Sequence, residues 1–164
     1  MPKEYIGFRE AYQKTMASIQ PLPSTRCRIS DCEGYIAAED IVACADSPSV
    51  STSLKDGYAV RAEDMAAAED GRAASLRVIG SVAAGHAAVD AVAPGTAVRV
   101  LTGAPLPARA DTIVAEEFTS LSDGHIKVTT PTAKGRNILR QGSDTASGAL
   151  LLRAGQIMTP GRIG

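Results

Sequence analysis

Apolar residues near the start of the chain recur at a helical step. Tyr5, Phe8, Tyr12, Met16 and Ile19 are separated by 3, 4, 4 and 3 positions, which is the spacing of one face of an amphipathic helix. The spacing predicts a helix over 4–19, stopped before Pro21-Leu22-Pro23, where two ring-locked residues force extended backbone. Ser30-Asp31-Cys32-Glu33 has the form of a capping box, but Gly34 limits any helix there to one turn. From Tyr35 onward the pattern changes to short runs of Val, Ile, Leu and Thr separated by Gly, Pro, Asp and Ser. These runs predict strands near 35–44, 57–61, 75–83, 96–101, 112–118, 125–130, 137–140 and 149–152, with turns at Asp56-Gly57, Pro94-Gly95 and Asp123-Gly124. The alanine-rich stretch Ala62 to Ala74 favours a short helix ending at Asp70-Gly71. The fold class that follows is mainly β with a few short helices (α+β), without internal repeats.

A second change of character falls near Gly135, after which glycines at 135, 142, 148 and 155 punctuate extended segments. The expected organisation has two parts: a β-rich lobe over 27–135, and an elongated linker and dimerisation part built from 1–26 with 136–164. An elongated part of one helix and a few strands has little interior and leaves apolar surface for a second copy, so a homodimer is expected. Gly164, with no closing element, reads as a cut at a domain boundary.

Composition sharpens this picture. Of the 45% hydrophobic residues, 28 are alanine, 32 are Val, Ile or Leu, 6 are aromatic and none is tryptophan, so any core is built from small and branched side chains. The 164 residues suffice for one domain or two small ones. Lys+Arg (17) against Asp+Glu (18) gives a net charge of −1 with the basic residues scattered, which argues against nucleic acid as a partner. No run approaches the roughly 18 apolar residues of a membrane span, and Met1-Pro2-Lys3-Glu4 does not open a signal peptide, so no membrane association and a cytoplasmic location are expected. Cys27, Cys32 and Cys44 match neither a disulfide framework nor a zinc pair and read as reduced thiols in or near the core, with a zinc site using His86 or His125 as the disfavoured alternative.

Three segments are denser in special residues than plain β structure requires. Ser51-Thr52-Ser53-Leu54-Lys55-Asp56-Gly57-Tyr58 sets hydroxyls, a lysine and an aspartate before a strand; its plain reading is a tight turn with a solvated lysine. Arg99-Val100-Leu101-Thr102-Gly103-Ala104-Pro105 is a strand entering a loop whose N–H groups and threonine hydroxyl can hold an oxyanion, or an ordinary proline-rich connection. Asp111, Glu116, Glu117 and, further on, Asp144 are carboxylates of the kind magnesium uses, or solvated strand-end charges.

In order and separation these segments resemble the molybdopterin molybdenumtransferases, called MoeA in bacteria and the gephyrin E domain in animals. The residues carrying the resemblance are 53–61 (Ser-Leu-Lys-Asp-Gly-Tyr-Ala-Val-Arg), 95–107, 110–114 with Glu117, and Gly135-Arg136-Asn137-Ile138 leading through Gly142-Ser143-Asp144 to Gly148 and Gly155. Two departures stand out. The family's Asp-Asn-Ser-Ala-Met-Asp-Gly-Tyr-Ala appears here with Ser51 and Lys55 in place of the first aspartate and the methionine, as in a divergent MoeA-like paralogue, and the 164 residues are expected to correspond only to the part of family members that precedes their pterin-binding and C-terminal β domains.

The resemblance implies that the chain is the N-terminal portion of a transferase that acts on adenylylated molybdopterin (molybdopterin-AMP) and molybdate with Mg2+, yielding molybdenum cofactor and AMP. In such a dimer the cleft lies between the pterin-binding domain of one subunit and the β lobe of the other, so this portion alone is expected to be inactive. The resemblance further implies Asp56, Thr102 and Asp144 as catalytic, with Thr102 at an oxyanion; Ser53, Lys55 and Gly103 as substrate-binding; and Asp56 with Glu117 as metal-binding. The competing expectation is a non-catalytic dimerisation or docking module.

Overall fold

The computed structural model describes residues 5–69, 72–86 and 91–164. Its elements, in chain order, are α1 (Phe8–Ser18), β1 (Ile41–Val42), β2 (Thr52–Ser53), β3 (Gly57–Val60), α2 (Ala66–Glu69), β4 (Ala74–Val82), β5 (Thr96–Val100), β6 (Thr112–Ala115), β7 (Thr119–Ser122), β8 (His125–Val128), β9 (Ile138–Leu139), β10 (Leu150–Leu152) and α3 (Pro160–Ile163). Strands predominate and the helices are short, as the hydrophobic pattern predicts.

The chain forms two compact units. One is Ile41–Leu151; the other joins the described residues up to Asp40 with Leu152–Gly164. The larger unit is organised by a six-stranded sheet in the order β6-β3-β5-β4-β8-β7, antiparallel except for the β4–β5 pair. At one end of the sheet β6, β3 and β5 are buried at nearly every position because both faces are covered, whereas β4 and β8 carry alternating buried and exposed positions. Tyr58, Val60, Leu76, Ala97, Val114, Ile126 and Val128 meet in one core cluster. Ala59, Val98, Val100 and Ile113, from alternate positions of β3, β5 and β6, meet in the other with Val82, which lies beyond the irregularity between Val78 and Gly80 in β4. At the β7–β8 hairpin, Asp123 and Gly124 both take positive φ (50° and 73°), the backbone that an Asp-Gly turn supplies between twisted strands.

Several expectations need correction. The Asp56-Gly57 pair is not a tight turn: Gly57 opens β3 and faces Val100 on one side and Ala115 on the other. The strand expected over 35–44 is reduced to Ile41–Val42, because Tyr35 and Ala37 exchange backbone bonds singly with Met158 and Gln156 instead of forming a ladder. The run 112–118 is broken by a 3-10 turn at Glu116–Phe118, closed by the Thr119 hydroxyl on the Glu116 carbonyl (2.9 Å), and the chain after it becomes β7. The alanine-rich stretch is a 3-10 turn (Ala62–Met65) followed by α2; its expected end at Asp70-Gly71 lies outside the described residues, and Ala74 already belongs to β4. Ser30 sits within a single 3-10 turn, Ile29–Asp31, and its hydroxyl donates to the Asp31 carboxylate instead of capping. Only Cys32 is buried; Cys27 and Cys44 are exposed, so two of the three thiols are not core residues.

The unit boundaries also differ from those drawn at 26/27 and 135/136. Residues 34–37 pair with 156–158, which draws the segment before Asp40 into the smaller unit. Residues 137–148 pair back to 43–54, which holds the segment after Gly135 in the larger one. Within the smaller unit, α1 begins and ends inside the predicted 4–19 range, and its stripe of Phe8, Tyr12 and Met16 is exposed, with Phe8 and Tyr12 stacked at 6.3 Å.

Candidate functional site

The register Gly57↔Val100 between β3 and β5 brings the residue before β3 beside the loop that follows β5. There the Thr102 hydroxyl and the Thr102 N–H both donate to the same Asp56 carboxylate oxygen, Oδ1, at 2.7 Å each. On its other side the Asp56 carbonyl accepts the Glu116 N–H (3.0 Å), tying the residue to the end of β6. The carboxylate is therefore fixed from two neighbouring strands while remaining exposed. Its second oxygen, Oδ2, accepts no hydrogen bond among the described residues. The Thr102 hydroxyl and N–H hold the Asp56 carboxyl below the ordinary aspartate range, and the charge of Arg99 adds to the effect.

Thr102 and Gly103 have no N–H to offer a ligand. The Thr102 N–H goes to Asp56, the Gly103 N–H to the Ser53 carbonyl (2.8 Å) and the Ala104 N–H to the Leu101 carbonyl (2.9 Å). The expected oxyanion nest is thus a set of internally paired donors, and Thr102 acts on Asp56. Ser53, in β2, is buried; its hydroxyl bonds the Lys55 carbonyl and accepts the Lys55 N–H (3.2 Å), so it shapes the Ser53–Asp56 segment. Lys55 and Glu117 come together, with Nζ 3.8 Å from Oε1, both side chains about half exposed. They line an open cleft of about 460 Å3 with Phe118, Thr132, Arg136 and Asn137.

Asp144 belongs to a different cluster. Its N–H donates to the Ser47 carbonyl (3.0 Å), in a loop organised by Asp46, and among the described residues Asp56 and Thr102 bond each other and not Asp144. Sequence reasoning passed over Asp46; Glu116, one of the carboxylates it singled out for magnesium, is instead paired with Arg99 (Nη2 to Oε1, 3.1 Å), and Arg136, quoted there only for the resemblance, is a cation of the cleft. Asp46 carried one legible signal, an aspartate opening Asp46-Ser47-Pro48, the composition of a turn whose side chain bonds backbone.

The donor set bears on magnesium. No group of three His, Cys, Asp or Glu side chains suited to a metal ion occurs among the described residues. A single carboxylate with one uncommitted oxygen fits a magnesium ion that arrives with a substrate phosphate and water, not one held by protein alone. Glu117 is committed to Lys55, though only loosely.

Acid should weaken this unit in a defined window. Asp46, through the Ser147 N–H and the Gln141 amide, and Asp56, through Thr102, have lowered carboxyl pKa values; at Asp111 burial pulls upward but the Ala62 N–H and Lys134 outweigh it. A carboxyl lowered by folding binds fewer protons than its unfolded counterpart, so the stabilisation is complete above the unfolded value, about 3.9, and is lost as pH falls through the lowered values. Thermal unfolding followed from pH 7 downward should show a near-constant midpoint until about pH 5, then a fall that is shallower in an Asp46→Asn variant.

Residues 6–164 match the family described as the MoeA N-terminal region, domains I and II. Among curated proteins, the chain is 36% identical over 158 residues to the molybdopterin molybdenumtransferase of Synechococcus elongatus, covering 94% of this chain and 39% of that protein. It is 32% identical over 158 residues to the molybdopterin molybdenumtransferase of Staphylococcus aureus, covering 96% and 38%. Among solved structures, the molybdopterin biosynthesis MoeA protein of Pyrococcus horikoshii superposes with a TM-score of 0.85 at 33% identity, over 98% of this chain and 42% of that one. The chain thus spans about two fifths of the length of the relatives it matches. No helix among the described residues is long and apolar enough to cross a membrane.

Proposed function

Because the chain belongs to the family of MoeA N-terminal regions, we propose that it supplies one wall of a cleft in which molybdate is inserted into adenylylated molybdopterin, with release of AMP, in the cytoplasm. The observation that carries this reading is the Asp56 carboxylate, held by both Thr102 donors with one oxygen left outward. A catalytic carboxylate needs a fixed position, and the two Thr102 bonds supply it while favouring the ionised form.

In this proposal Asp56 orients the phosphate-bearing substrate and supplies one ligand to magnesium. Bound there with the substrate phosphate, magnesium would neutralise charge developing on the phosphoryl oxygens as the bond to AMP breaks. Thr102 is a positioning residue for Asp56. Lys55 and Arg136 give the neighbouring cleft a cationic lining for an anionic substrate, and Glu117, opposite Lys55, moderates it or adds a second carboxylate to the metal. Ser53 and Gly103 hold the two loops together through the Gly103 N–H and Ser53 carbonyl. Asp144 contributes a second carboxylate from its own loop. The other wall of the cleft, and with it the pterin, comes from a second subunit in a homodimer. Exposed Phe8, Tyr12 and Met16 on α1 support an association of that kind.

The test is molybdate insertion by the gene product that carries these residues. Asp56→Asn preserves shape and removes the charge, and its metal-dependent turnover should fall at least about tenfold. Thr102→Val removes the hydroxyl that fixes Asp56, and a smaller loss is expected. Parental turnover in both variants, with unchanged thermal unfolding, would leave this unit as a scaffold for docking or dimerisation.

A further inference from the structure

The loop carrying Asp144 is pinned to the segment Asp46–Ser51 at nearly every turn. The Gly142 N–H donates to the Pro48 carbonyl (3.0 Å), and the Asp144 and Thr145 N–H groups both donate to the Ser47 carbonyl (3.0 and 3.1 Å). The Ser47 N–H returns a bond to the Thr145 carbonyl (2.8 Å), and the Gln141 N–H reaches the Ser51 hydroxyl (3.1 Å). One side chain spans the whole loop. Asp46 Oδ2 accepts the Gln141 side-chain amide (2.7 Å) at the loop's start, and Asp46 Oδ1 accepts the Ser147 N–H (2.8 Å) at its end. The carboxylate lies so close beneath the loop that a Cβ on Gly142 would stand 3.2 Å from Oδ1, and Gly142 has a φ of 68°, which favours glycine on its own account.

From this geometry we propose that Asp46 is a positioning residue for Asp144: it closes the 141–147 loop from below and fixes where the Asp144 carboxylate is presented. Both Asp46 oxygens accept a hydrogen bond from the loop, one at each of its ends. The same two bonds favour the ionised carboxyl, holding it below the ordinary aspartate range. Asp144, by contrast, is exposed at the loop's middle. A charge-assisted clamp across the seven residues 141–147 limits the angular freedom of the residues between its ends, and a displacement of about 1 Å at a reacting group costs up to about a hundredfold in rate.

The inference rests on the activity proposed above, and the experiment separates the two. Asp46→Asn, Asp144→Asn, the double variant and Asp56→Asn are compared for kcat, KM and thermal unfolding in the gene product. If Asp46 acts through Asp144, Asp46→Asn lowers kcat about tenfold with little change in KM, and the double variant is no slower than Asp144→Asn alone. Gln141→Met, which removes one arm of the clamp and leaves the Ser147 bond, should give a smaller kcat loss in a protein that folds normally. Multiplicative losses in the double variant, or full kcat in both Asp46→Asn and Gln141→Met beside an impaired Asp144→Asn, would overturn the proposal. Full activity in Asp144→Asn with loss in Asp56→Asn also overturns it while sparing the reading of the site. Full activity in Asp56→Asn overturns that reading instead.

Discussion

Gly57→Ala is expected to cost the larger unit about 3 kcal/mol or more, a large share of the roughly 5–15 kcal/mol by which folded domains are stable. Gly57 lies in β3 with β5 on one side and β6 on the other. A Cβ there would fall on the Val114 carbonyl oxygen and stand 2.9 Å from Ala115 Cα. Those are backbone atoms and cannot rotate away as a flexible side chain would. Moving β6 is costly as well, because the Ile113 N–H is bonded to the Arg136 carbonyl and the Glu116 N–H to the Asp56 carbonyl. The substitution should also disturb Asp56, the adjacent residue. Chemical denaturation followed by circular dichroism checks the prediction, with Gly7→Ala, where an added Cβ meets nothing within 4 Å, as the comparison. A Gly57→Ala protein as stable as Gly7→Ala would show that the β3–β6 approach is looser than described.

Ile126→Ala is the second large effect, at about 2–5 kcal/mol. Ile126 is wholly buried in β8, paired with Leu76 of β4 and Leu121 of β7, and packs in the cluster that includes Tyr58, Met65 and Val128. Removing its branched side chain leaves a void that strands paired on both sides cannot collapse to fill. Leu121→Ala in the facing position should cost less than about 0.5 kcal/mol, because Leu121 is on an edge strand and 61% exposed. The two residues occupy the same register, so the comparison isolates burial from strand pairing. Equal midpoints in urea for the two variants would contradict the assignment of the core.

The part of the fold set by local composition was legible in the chain. The helical step from Phe8 to Met16 needs only side-chain spacing, and α1 formed where it predicts. The strands at Gly57–Val60, Thr96–Val100 and Thr112–Ala115 fall within the runs predicted at 57–61, 96–101 and 112–118, which were readable because strands buried on both faces are mostly apolar, whatever their partners. The Asp123-Gly124 hairpin was readable because its backbone conformation is a property of those two residues. The resemblance located Asp56, Thr102 and Asp144 by order along the chain.

What only the tertiary structure decided depends on partners distant in sequence. Asp56-Gly57 has turn composition, yet Gly57 is glycine because β6 passes too close for a Cβ, and no local pattern records that approach. The Thr102-Gly103 loop has the composition of an oxyanion nest, but the Thr102 and Gly103 N–H groups are bonded to Asp56 and Ser53, about fifty residues earlier. Asp46 drew no notice in the sequence because its importance lies in reaching Gln141 and Ser147, 95 and 101 residues later. Hydrophobic periodicity encodes which face of an element is buried; which polar group each loop donor meets is settled only when strand register brings the loops together.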